Sequence, residues 1–170
     1  MKRFFLFLLV AGMLSGPLYA GVPNEVQQQT KRAQITLRAI ANQLAHFYAQ
    51  HGYYPSTAFS DTAFAAIGMK EPPSKTWDYF FECKLYSCDI TAEHKRRHYT
   101  PDDLVGITPI LRLTVRKRKV DPIIHVEART IWFMQKGDTT LLMEENYAAP
   151  REICYWFGGQ KDAKLGCILD

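Results

Sequence analysis

After its first twenty residues the chain has no apolar run approaching the roughly 20 residues a spanning helix requires, so no later segment is expected to cross a membrane. It also has little surplus of either charge. The formal +4 falls to +2 once Lys2 and Arg3, which belong to the extreme start, are set aside. That excess is too small to argue for nucleic acid as a partner. No serine sits in a G-x-S-x-G elbow, and there is no glycine-rich phosphate loop and no C-x-x-C-H haem site, which removes the commonest hydrolase, nucleotide and haem readings. Internal repeats, low-complexity stretches and linkers are missing too, and 170 residues favour one domain.

What is present begins with a targeting feature. Lys2 and Arg3 precede the apolar run Phe4–Leu14, Gly16-Pro17 break it, and Leu18-Tyr19-Ala20 ends on a small residue. This is the anatomy of a secretory signal peptide over residues 1–20, cut after Ala20. Residues 21–170 are then a single globular domain in the periplasm or outside the cell. A membrane enters only if the segment stays uncleaved. A mature part of about 150 residues buries on the order of 70% of its unfolded surface, enough to fold alone.

The longest pattern is NEVQQQTKRAQITLRAIANQLAHFYAQHGYYP, from Asn24 to Pro55. At about 100° per residue, Val26, Ala33, Leu37, Ile40, Ala41, Leu44, Phe47 and Tyr48 share one face. Lys31, Arg38, Asn42 and His46 fall opposite. Gly52 suits a left-handed cap and Pro55 blocks continuation. Ile35 points away from the stripe and is a candidate partner contact.

Asp61–Ile67 reads as a short helix ended by Gly68. Trp77–Cys83 reads as an aromatic strand turned by Lys84–Ser87, and residues 91–103 as a polar surface loop or a frayed helical turn. Leu111, Leu113 and Val115 alternate with Arg112, Thr114 and Arg116, a strand with one wet face over Ile107–Arg116. Further strands are expected over Ile123–Met134, Thr139–Glu145 and residues 152–157, EICYWF. The fold class is therefore α+β: one long N-terminal amphipathic helix packed on a four- to five-stranded antiparallel sheet.

Four cysteines, Cys83, Cys88, Cys154 and Cys167, in an exported chain favour disulfides. Three pairings are open, and pairing neighbours in sequence would make two local loops. The C-x4-C and C-x12-C spacings do not match a zinc finger or ribbon. His94 and His98 would share a face only on a helix, and Lys95, Arg96 and Arg97 between them repel a cation. Asp102-Asp103 after Pro101 reads as a turn or helix start, and adjacent Glu144-Glu145 on a strand point to opposite faces. No catalytic residue, metal or cofactor is expected. Arg112–Lys119 is locally basic and reads as a solvated face, with an acidic partner as the alternative. Aromatics exceed what alternation can hide. Phe80 and Phe81 cannot face one side of a strand, nor can Tyr155 and Trp156, which join Ile35 as candidate partner contacts.

The helix ending in QLAHFYAQHGYYP, the aromatic entry Trp77-Asp78-Tyr79 and the late Cys154–Cys167 region together resemble a type IV pilin or a type II secretion pseudopilin. The resemblance covers most of the mature chain. It implies a noncatalytic structural or interaction protein whose partners are other proteins, pilus or secretion-system subunits. It also implies a late loop bounded by a Cys154–Cys167 disulfide. Family members keep an apolar segment after a leader ending in glycine. Here the apolar run precedes the expected cut, which implies a pilin-like head without the filament-core segment. Some pseudopilins bind calcium in a late loop, but Asp162 beside Gly158-Gly159 is one acid, too few for a site. The alternative is a small periplasmic or secreted domain holding a ligand between loops and sheet, suggested by aromatics near loops.

Overall fold

The long helix forms where the periodicity places it. A computed structural model describes residues 24–55, 61–95, 107–136 and 139–169, so the expected signal segment, His98 and Asp102-Asp103 lie outside the described residues. Helix α1 runs Asn24–His51, 28 residues, about 42 Å at 1.5 Å per residue. Ala33, Leu37, Ile40, Ala41 and Leu44 are fully buried. Phe47 and Tyr48 are half-buried at the edge of that stripe, packed against the core. Burying each of Leu37, Ile40 and Leu44 contributes roughly 1.5–3 kcal/mol. Gly52 adopts φ 77°, and its amide donates to the Tyr48 carbonyl at 2.8 Å. Arg38, on the side expected to be wet, is half-buried instead. Its guanidinium reaches across to the Pro122 carbonyl at 2.8 Å.

Helix α2 is Asp61–Ala66, and Gly68 follows it at φ 71°. The sheet comprises β1 (Trp77–Lys84), β2 (Ser87–His94), β3 (Ile107–Arg116), β4 (Lys119–Lys136), β5 (Thr139–Ala148), β6 (Gln160–Asp162) and β7 (Gly166–Leu169), with helix α3 (Arg151–Trp156) between β5 and β6. Strand order is β1-β2-β3-β4-β7-β6, with β5 pairing β4, and every pairing is antiparallel. The long β4 serves two partners on one side. Ile124–Val126 pairs with β7, and Glu127–Lys136 pairs with β5. The α+β class is as expected, with seven strands among the described residues rather than four or five.

Two local expectations are corrected. Residues 152–157 are not a strand: EICYW belongs to α3. Pro150 stands before its first turn, and Ile153, Cys154 and Phe157 are buried at helical spacing while Tyr155 and Trp156 are both exposed. A short apolar run fits either period, and tertiary packing decides. Residues 91–94 are not loop either. They complete β2, where Cys88, Ile90, Ala92 and His94 face inward opposite Val115, Leu113 and Leu111 of β3 and the β1 aromatics. Small and polar inward residues hide that alternation in the sequence.

One sheet face carries Trp77, Tyr79, Phe81, Ile90, Leu111, Leu113, Ile124 and Val126, buried under α1 and α2. Phe64 of α2 meets Phe81 edge-on at 5.5 Å. The opposite face is laced by ion pairs. Arg112 grips Glu127 with two hydrogen bonds of 2.9 and 2.8 Å, and Arg129 reaches Glu93 at 2.7 Å. Ile110, in register with both Glu93 and Glu127, is fully buried between these pairs; long charged side chains shield apolar surface in this way. Burial opposes the Arg112 charge, but Glu127, Asp89 and Glu82 outweigh it and hold the guanidinium pKa above its usual value.

The cysteines pair as Cys83–Cys88 and Cys154–Cys167. The first joins residues directly opposite in the β1–β2 hairpin. The second ties α3 to β7.

Candidate functional site

The N-terminal half of α1 overhangs the ends of β1 and β2, leaving an open groove of about 950 Å³. The helix supplies Glu25, Val26, Gln29, Arg32, Ile35 and Thr36. The opposite wall is the segment 73–76, and the floor carries Trp77, Tyr79 and His94. Ser74 shapes that wall: its hydroxyl accepts the amides of Thr76 and Trp77 at 3.2 and 3.0 Å, a local side-chain turn that starts β1. The Lys95 amide donates to the Thr76 carbonyl at 2.9 Å and closes the base.

Trp77 and His94 are directly paired residues of β1 and β2. Their rings meet edge to face at 4.9 Å, and Phe157 approaches both, at 5.8 and 6.2 Å. Trp77 is 3% exposed, and its indole Nε1 is buried without an acceptor among the described residues. Such a donor is unusual in a native fold, because leaving it unmade costs about 1–3 kcal/mol. The Tyr79 phenol is pushed up from its ordinary pKa, chiefly by burial, with the hydroxyls of Thr36 and Ser74 opposing the shift.

Of the candidate contact residues, Ile35 is 69% exposed and lines this groove. Tyr155 and Trp156 are exposed on α3 and do not line it; the Arg151 guanidinium lies 5.5 Å from the centre of the Tyr155 ring. His94, read as half of a loop pair with His98, is instead a buried strand residue. The roles of Trp77 and His94 in the groove had no signal in the sequence beyond the aromatic start of β1.

The late loop is built for turning. Asp162 Oδ1 accepts the amides of Lys164 and Leu165 at 2.7 and 2.8 Å, and these bonds lower its pKa. Among the described residues no group of three or more His, Cys, Asp or Glu is placed to hold a metal, and no helix is long and apolar enough to cross a membrane. Two disulfides mark a chain of an oxidising compartment outside the cytoplasm. The class defined so far is a disulfide-linked α+β domain with a groove beside its spine helix. Comparison with models of protein families, with curated proteins and with solved structures finds no match for this chain.

Proposed function

We propose that this is a noncatalytic exported protein with a pilin-like head, working by contact with other proteins in the periplasm or outside the cell. Its partners on this reading are subunits of a type IV pilus or a type II secretion system. The observation that carries the contact role is Ile35, an isoleucine 69% exposed in the middle of α1 and bordering a groove. A large aliphatic residue in water beside a concave surface is the composition of a partner-binding anchor. A photo-crosslinking residue at position 35, in the chain exported by its own host, should give a covalent adduct with a pilus or secretion subunit. The same probe at exposed Asn42 should not. Equal labelling from both positions, or turnover by the purified mature chain on any substrate, defeats the proposal.

The second reading is a small ligand-binding domain, favoured by Trp77 and Tyr79, two aromatic side chains that line the same groove. A ligand bearing an acceptor and an apolar body fits such a lining. Thermal-shift screening against sugars, lipids and peptides separates the two, since only this reading expects a raised midpoint that Trp77→Phe abolishes.

A further inference from the structure

The opposite end of the molecule carries a second surface, independent of the groove. The β1–β2 and β3–β4 turns lie side by side, joined by the Lys117 amide donating to the Tyr86 carbonyl at 2.9 Å. Lys84, Ser87, Arg116 and Lys119 are successive partners across the ends of four strands. Lys117 and Arg118 cap the adjacent turn, so five cations, all exposed, meet at one tip. These are five of the chain's 21 lysines and arginines. None of the five forms an ion pair among the described residues. Asp121, the acid nearest Lys119 in sequence, is occupied in accepting the Ile123 amide at 3.0 Å.

Apolar side chains project among these charges. Leu85 and Tyr86 form the neighbouring turn and are 65% and 57% exposed. The Lys117 ammonium lies 5.7 Å from the centre of the Tyr86 ring. Tyr54 anchors the end of α1 here through its hydroxyl, which donates to the Lys117 carbonyl at 2.6 Å. Leucine and tyrosine at a protruding turn, ringed by lysine and arginine, match both layers of an anionic bilayer surface: phosphates outside and acyl boundary beneath. A purely acidic protein surface would use the cations and leave Leu85 in water.

The geometry points to the paired turns at Lys84–Ser87 and Arg116–Lys119 as a docking tip for a membrane surface rich in anionic phospholipid. Leu85 and Tyr86 enter the headgroup boundary while the cations pair with phosphates. The attraction falls with salt, because screening shortens to about 8 Å at 0.15 M ionic strength.

The test uses the exported chain with vesicles of phosphatidylglycerol in phosphatidylcholine, against phosphatidylcholine alone. Co-sedimentation is expected only with the anionic vesicles. Lys84→Gln with Arg118→Gln and Lys119→Gln should weaken it on the order of a hundredfold, from roughly fivefold per cation. Leu85→Trp places a reporter indole at the tip, and its emission should shift to the blue and be quenched by brominated lipid. Leu85→Ser should weaken sedimentation while leaving the thermal midpoint unchanged, which separates docking from folding. Equal sedimentation with both vesicle types, no loss in the triple variant, or a reporter indole whose emission stays that of water each overturns the proposal. Retention on an acidic polypeptide resin without vesicle binding overturns it too, in favour of a protein partner.

Discussion

Tyr54 is the residue that fastens the end of α1 to the sheet. Its ring is buried and tilted against that of Tyr48, with centroids 4.9 Å apart, and its hydroxyl donates to a carbonyl 63 residues away. Burial, with Tyr48 adding to it, pushes the phenol pKa up to about 12 from 10.0. The folded state therefore keeps the proton that the unfolded chain releases above pH 10. The stability contribution is present below pH 10 and is lost as pH rises towards 12. Tyr54→Phe should cost about 0.5–1.5 kcal/mol at neutral pH through the lost hydrogen bond to the Lys117 carbonyl. It should also flatten the fall in denaturation midpoint between pH 10 and 12, measured by urea melts across that range. An unchanged alkaline slope would show that Tyr54 is not the titrating group. The buried stripe of α1 was legible in the sequence because its period is local. The Tyr54–Lys117 bond was not, because nothing local marks a partner so distant. Ile35 was legible as an outlier from that same period, whereas the buried Trp77–His94 contact depends on a strand register that only the folded sheet fixes.

At the scale of elements, the α3–β6–β7 unit rests on its disulfide. Two adjacent glycines serve it for different reasons. Gly158 holds φ 74°, a conformation costly for side chains, with nothing within 4 Å of its absent Cβ. Gly159 is crowded instead: a Cβ there would meet Cys167 Sγ at 2.7 Å, and the Cys154 carbonyl and Sγ at 3.1 Å each. Gly159→Ala should cost about 1–3 kcal/mol by overpacking, and Gly158→Ala about 1 kcal/mol by backbone strain. In a Cys154→Ala, Cys167→Ala background the Gly159→Ala cost should shrink while the Gly158→Ala cost remains, as read by a double-mutant cycle. Equal costs in both backgrounds would mean the sulfurs are not what Gly159 accommodates. This unit was the least legible part of the chain. EICYWF satisfies strand and helix patterns equally over so few residues, and β6 and β7 are too short to declare a period. By contrast, Leu111, Leu113 and Val115 announced β3 through strict alternation on a half-covered sheet.

The whole molecule is a helix laid on one face of a sheet whose other face is knitted by charge, with a groove at one end and a basic tip at the other. Its fold class was legible because a long amphipathic period followed by short alternating runs has few packed solutions. The groove and the tip were not, because each arises from residues far apart in sequence: Ile35 with Trp77, and Leu85 with Lys119. Compartment is a property at this scale, and it is carried by sulfur. The loop-entropy relation gives about 3 kcal/mol for Cys154–Cys167, which are 13 residues apart. For Cys83–Cys88, 5 apart, it gives about 2 kcal/mol. At roughly 2–4 °C per kcal/mol for a domain of this size, reducing both should lower Tm by about 10–20 °C. Calorimetry of the exported chain, with and without reductant, measures this drop directly. Cys154→Ser with Cys167→Ser should account for the larger share and Cys83→Ser with Cys88→Ser for the smaller, because the first pair closes the longer loop in the unfolded chain. A reduced chain that melts where the oxidised one does would detach the disulfides from stability, and with them the physical case that this domain is built for an oxidising compartment.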